Sequence, residues 1–162
     1  MLEIRRAVET DFDQIWEIFH PVVKRGDTYM YAPDTTKDQA RQIWMSKDMA
    51  TYVACDGAEI VGTYILRPNQ PALGAHVVNA GYMVKPNTQG KGIGRAMCGH
   101  SLREARQAGF LAMQFNAVVS TNENAVALWK KMGFSIVGTV PKAFNHQELG
   151  LVDIFIMHQF LD

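Results

Sequence analysis

The run Met83-Val84-Lys85-Pro86-Asn87-Thr88-Gln89-Gly90-Lys91-Gly92-Ile93-Gly94-Arg95-Ala96 carries an apolar strand into a turn with three alternating glycines that opens a helix. Glycines so placed permit positive φ angles and let the backbone approach a ligand closely. Successive N–H groups then form a nest at the positive end of the helix dipole, which holds phosphate oxygens, while Lys91 and Arg95 can add countercharge. The chemistry this predicts is the binding of an anionic, pyrophosphate-bearing ligand. Two common phosphate loops do not fit. Lys91 is followed by Gly92 rather than Ser or Thr, which excludes a P-loop. The third glycine of a dinucleotide fingerprint would fall on Arg95 or Met97. A glycine turn without a ligand is the simpler alternative.

A second block, Ser120-Thr121-Asn122-Glu123-Asn124-Ala125-Val126-Ala127-Leu128-Trp129-Lys130-Lys131-Met132-Gly133-Phe134, reads as a capped helix. Ala125, Leu128, Trp129 and Met132 share one apolar face, and Gly133 stands where a helix-ending left-handed residue is expected. Core packing alone would account for that stripe. Yet Gln89-x-x-Gly92-x-Gly94, followed by this asparagine-led block, resembles the paired signatures of the GCN5-related N-acetyltransferases, the acetyl-CoA-dependent GNAT superfamily. The resemblance spans nearly the whole chain. It implies one domain over residues 1–162 with an α/β (α+β) GNAT fold: a mixed, mostly antiparallel sheet of about seven strands flanked by about four helices.

The resemblance also implies roles. Acetyl-CoA is the co-substrate, and its pyrophosphate lies on Gln89, Gly90, Lys91, Gly92, Ile93, Gly94 and Arg95. Backbone N–H groups near Tyr82, Met83 and Val84 meet the developing oxyanion. Trp129 lies near the thioester sulfur. Asn79 and Asn116, with Asn122, make the chain similar to the yeast enzymes that acetylate proline analogues such as azetidine-2-carboxylate. In that branch the counterpart of Asn79 binds the substrate carboxylate, that of Asn116 contacts the coenzyme, and that of Asn122 contacts the coenzyme and positions the reacting amine or water.

The chain departs from the commonest pattern at the proton-handling positions. His76-Val77-Val78-Asn79-Ala80-Gly81-Tyr82 has no carboxylate where many relatives carry a glutamate base. Trp129 replaces a frequent tyrosine acid, and an indole donates a hydrogen bond but no proton. Direct attack on the thioester, with the proton lost through water, is the mechanism this predicts. The residues themselves offer further substrate contacts: His76 as a base, Tyr29 and Tyr31 on a lid loop with apolar faces and polar tips, and Phe144 between the last two strands.

Strands are expected over Leu2–Ala7, Thr51–Cys55, Ile60–Leu66, Val77–Val84, Ala112–Val118, Ile136–Val140 and Val152–His158. Thr10 with Asp13 should cap a first helix, Thr35 or Thr36 a second, and Gly92–Ala108 should form a third. With 16 acidic and 16 basic residues the charge is balanced, which argues against nucleic acid or a membrane surface as partner. Cys55, Cys98 and the five histidines lack metal-ligand spacing, so no metal is expected and the thiols should be buried in a cytoplasmic enzyme. The partner is then a small-molecule amine, and family habit adds a homodimer. An acyl-CoA-binding module without turnover, and an enzyme acting on protein N-termini, remain as alternatives.

Overall fold

The computed structural model describes residues 1–88 and 90–162; the predicted coenzyme contact Gln89 lies outside the described residues. Strands β1 (Leu2–Arg6), β2 (Ala50–Asp56), β3 (Glu59–Pro68), β4 (Val77–Val84), β5 (Ala112–Val119), β6 (Ser135–His146) and β7 (Gly150–Phe160) form one sheet in the order β1-β2-β3-β4-β5-β7-β6. Among the described residues only the β4–β5 pair is parallel. Helices α1 (Phe12–Lys24) and α2 (Lys37–Trp44) cover one face, and α3 (Ile93–Gln107) and α4 (Glu123–Lys131) the other.

Side-chain alternation divides the core accordingly. Tyr64 and Leu66 of β3, with Val78 and Ala80 of β4, pack against Met97, Cys98 and Leu102 of α3. Ile65 and Met83 point the other way, into a cluster with Ile15, Ile18 and Phe19 of α1 and Trp44 of α2. Both cysteines are buried and unpaired. No helix among the described residues is long and apolar enough to cross a membrane.

Two local expectations change, and one open choice is resolved. The Thr10/Asp13 cap does not form, because a 3-10 turn over Glu9–Asp11 precedes α1. There Asp11 accepts from the Val8 N–H at 2.8 Å and from both Arg5 guanidinium nitrogens at 2.8 and 2.9 Å, while Asp13 pairs with Lys37. Of the two threonines offered for α2, Thr36 is the cap, accepting from the Gln39 N–H. Strand β6 extends to His146, past the predicted Val140, because its register breaks between Val140 and Phe144 disrupt the alternation by which a strand is read.

The α1/α2 cluster is tied to the sheet by a fully buried chain of hydrogen bonds. Trp44 Nε1 donates to Thr63 Oγ1 at 2.9 Å, Thr63 donates to the Tyr52 carbonyl at 2.8 Å, and Thr51 donates to the Trp44 carbonyl at 2.6 Å. Thr63→Val leaves the indole N–H buried without an acceptor. It should cost about 1–3 kcal/mol in urea unfolding, whereas Thr63→Ser should recover most of the loss. Asp11 predicts a pH effect. Its hydrogen bond to Arg5, aided by the Val8 N–H, holds its carboxyl below the usual carboxylate range despite partial burial. The resulting stability is present above the unfolded-state carboxylate pKa and is lost as pH falls through the folded value. Asp11→Asn should therefore lower the urea midpoint at neutral pH, and the gap to the wild type should close in acid.

Candidate active site

Strands β4 and β5 pair only from Val77↔Ala112 to Asn79↔Gln114. Beyond that point β5 bulges: two residues, Asn116 and Ala117, oppose Ile156 alone on β7. The strands part, and a cavity of about 420 Å³ opens between them. The groups facing it follow from alternation. The His76 carbonyl accepts from the Leu111 N–H on the β5 side, and the Val77 carbonyl accepts from the Asn69 N–H on the β3 side. Even-numbered residues of β4 therefore turn their N–H and C=O toward β5. Past the end of the ladder, the Tyr82 and Val84 backbone groups face the gap. Tyr29 Oη donates to the Tyr82 carbonyl at 2.5 Å, leaving the neighbouring N–H directed at the cavity.

The Tyr82 ring itself turns away. Its hydroxyl and Ser101 Oγ lie 2.6 Å apart under α3, and burial pushes its pKa well up. The ring joins Phe115, Trp129 and Phe134 in an aromatic cluster with centroid spacings from 4.2 to 6.4 Å. Trp129 thus lines the cavity while closing its floor. Burial likewise raises the Tyr29 and Tyr31 hydroxyls, so both phenols are protonated at neutral pH, Tyr29 as the donor to the Tyr82 carbonyl. Cys98, pushed up by burial to about 12, is an inert thiol.

The loop expected as a lid packs as a wall of the cavity. Tyr29 and Tyr31 stack 5.7 Å apart, Tyr29 meets Trp44 edge-on, and Tyr31 stacks on Phe19. The loop begins at Gly26, with φ +64°, whose carbonyl accepts from the Gln147 N–H between β6 and β7.

The three asparagines all line the cavity. Asn79 Nδ2 donates to the Gln114 carbonyl at 3.0 Å, bracing the last rung of the parallel ladder. Asn116 accepts from Gln114 Nε2 and donates to Asn69 Oδ1, an amide chain at the cavity rim. Asn122 caps α4 by accepting from the Ala125 N–H. His76 and Phe144 fall elsewhere. His76 is exposed at the paired end of the ladder, where β4 and β5 have not yet separated. Phe144 is buried against Val119 and Ile154, and neither residue is among those lining the cavity. Arg25 and Arg67, which sequence reasoning missed, do line it, and no carboxylate side chain does among the described residues.

Past the far end of β4 the chain turns with Asn87, Gly90 and Gly92 all at positive φ. Gly92 occupies the position before α3, and the first backbone hydrogen bond it receives comes from Ala96. The N–H groups of Ile93, Gly94 and Arg95 are left without helical acceptors, an anion cradle. The Ile93 side chain is core, and Lys91 and Arg95 are exposed. A Cβ on Gly94 would sit 3.4 Å from Leu128, so this glycine lets α3 and α4 converge beside the turn. No group of three or more His, Cys, Asp or Glu among the described residues is placed to hold a metal ion.

A parted pair of parallel strands, with a nest and a helix N-terminus on the same strand, suits a thioester carried on a pyrophosphate-bearing arm. The model of the acetyltransferase (GNAT) family matches residues 12–134, through both motif blocks. The chain belongs to that family. A GCN5-related N-acetyltransferase from Kribbella flavida has 42% sequence identity and a TM-score of 0.94, covering 98% of this chain and 97% of that one. N-acetyltransferase aca1 of Schizosaccharomyces pombe is 32% identical over 112 residues, 67% of this GNAT chain and 53% of that protein, so the match spans about half the length of the relative. The fold is also that of yncA from Salmonella typhimurium, solved with its cofactor acetyl-CoA, at 24% identity and a TM-score of 0.84, covering 100% of this chain and 95% of that one.

No described residue comes within 4 Å of a Cβ built on Gly92, so within the protein itself the demand for glycine there is conformational. In this GNAT protein Gly92→Ala should cost about 1–2 kcal/mol, read as a lowered urea midpoint with an unchanged m-value.

Proposed function

We propose that the protein transfers the acetyl group of acetyl-CoA to the amine of a small amino acid or proline analogue within a ternary complex. The observation that carries this reading is the open edge of β4, where the Tyr82 N–H faces the cavity between the glycine turn and the Tyr29–Tyr31 wall. The coenzyme pyrophosphate lies on the nest around Gly90, Gly92 and the first turn of α3, as both motif blocks support. The pantetheine arm then runs along the strand edge left without a partner, where main-chain groups offer it hydrogen bonds. The thioester carbonyl meets the Tyr82 N–H.

The neutral amine attacks the carbonyl carbon, a C–N bond forms, and the tetrahedral oxyanion is held by that N–H. Collapse breaks the C–S bond and releases CoA as thiolate. The amine's surplus proton passes to water and ultimately to the thiolate. With no carboxylate among the described lining residues, positioning supplies most of the acceleration. Asn122 at the head of α4 is the side chain assigned to orient the amine or its water, and Asn116 to contact the coenzyme. The identity shared with aca1 supports an N-acetyl acceptor.

The same absence of a carboxylate favours a second reading, an acyl-CoA-binding module that does not turn over. Thermal shift and thiol release separate the two. Acetyl-CoA should raise the melting temperature, and azetidine-2-carboxylate or another small amino acid should elicit steady-state release of CoA thiol. Stabilisation without release from any amine would establish the binding module instead, and no stabilisation would remove both readings.

A further inference from the structure

Resting on the acetyl-transfer reading, we infer that Arg67 is the anchor for the acceptor's carboxylate, making a free amino acid rather than a neutral amine or polyamine the preferred substrate. Arg67 stands directly opposite Asn79 in the antiparallel β3–β4 register, so the two side chains leave the sheet on the same face, the one that α1 and α2 cover. Both line the cavity beside Tyr31, and the charge of Arg67 reaches the Tyr31 hydroxyl, opposing the effect of burial there.

Arg67 and Asn79 are not equivalent as anion ligands. The Asn79 amide already donates to the Gln114 carbonyl, a bond that braces the end of the parallel ladder. Arg25, the other cation of the cavity, has Asp27 at 3.5 Å. Arg67 has no carboxylate within ion-pair distance among the described residues and extends from an exposed rim position. Its planar fork suits two parallel hydrogen bonds to a carboxylate, with the remaining Asn79 amide proton available as a third donor.

Position along the strand separates this site from the coenzyme's phosphates. From Asn79 to Val84 an extended strand covers roughly 17 Å, so Arg67 lies a strand's length from the glycine turn. With Arg25 beside Asp27, the uncompensated charge of the described lining is that of Arg67, which disfavours a polycationic acceptor and attracts an acid. The stacked Tyr29–Tyr31 pair beside it offers a flat wall for a small ring or aliphatic side chain.

The test compares azetidine-2-carboxylate with its methyl ester, at a pH where both amines are partly neutral, in wild type, Arg67→Gln and Arg67→Lys. The acid-to-ester ratio of kcat/KM should fall about tenfold or more in Arg67→Gln, mainly through KM, with partial recovery in Arg67→Lys. Calorimetry with acetyl-CoA should give an unchanged Kd, which shows the variant is folded. Equal use of acid and ester by the wild type, or an unaltered ratio in Arg67→Gln, would overturn the anchor while leaving acetyl transfer intact. If no amine is turned over, calorimetric binding of azetidine-2-carboxylate decides: weakening in Arg67→Gln supports the anchor, and binding that survives, or none in the wild type, overturns it. Absence of acetyl-CoA binding in the wild type removes the acetyl-transfer reading and the anchor together.

Discussion

The site depends on the short reach of one parallel ladder. Three residue pairs hold β4 to β5, and the bulge at Asn116 and Ala117 then turns β5 away. Breaking a sheet in its middle exposes backbone groups that burial would otherwise penalise. The chain answers in two ways. The aromatic cluster of Tyr82, Phe115, Trp129 and Phe134 fills the space on the α3/α4 side, and Tyr29 supplies a donor to the Tyr82 carbonyl. The opening therefore persists as a shaped slot with a donor on its edge, instead of collapsing.

The two faces of β4 divide the work. Even-numbered side chains pack under α3 and fix the strand, while Asn79 and Gly81 face the opposite side, where the tyrosine wall stands. A Cβ at Gly81 would come within 3.4 Å of the Tyr29 hydroxyl and 3.7 Å of Trp44, so a small residue lets that wall close on the strand. Charge is likewise distributed by face and not by composition. The whole chain is balanced, yet the described lining of the cavity carries arginines alone among charged residues.

What could be read from the sequence was local. The glycine turn, the Asn122 cap and the apolar stripe of α4 announce themselves by spacing, because the chemistry and the residues that position it are neighbours in the chain. The mixed, mostly antiparallel sheet of about seven strands followed from a family likeness built on those same motifs. Arg67 was invisible because its partnership with Asn79 is a matter of register between two strands. Tyr29 was legible as a contact residue, but not as the donor to Tyr82, a bond between a loop and a strand edge far along the chain. His76 misled for the converse reason: closeness in sequence to Asn79 does not carry it past the paired rungs into the opening. Asp11, not Thr10 or Asp13, takes the bonds at this turn, accepting locally from the Val8 N–H and across the fold from Arg5 of β1.

The seam between Gly26 and Gln147 bears on the order in which this molecule assembles. Gly26 opens the wall loop, and its carbonyl is claimed by a turn that belongs to the final hairpin. A Cβ there would also overlap the Gln147 side chain, so the two segments are seated closely against each other. Gly26 and Gln147 are separated by most of the chain, so this bond closes a long loop. On the ribosome, the first helices and the β2–β3 hairpin can gather before the closing hairpin has emerged, with the wall still unmoored. The wall of the cavity is thus moored only when the final hairpin is in place.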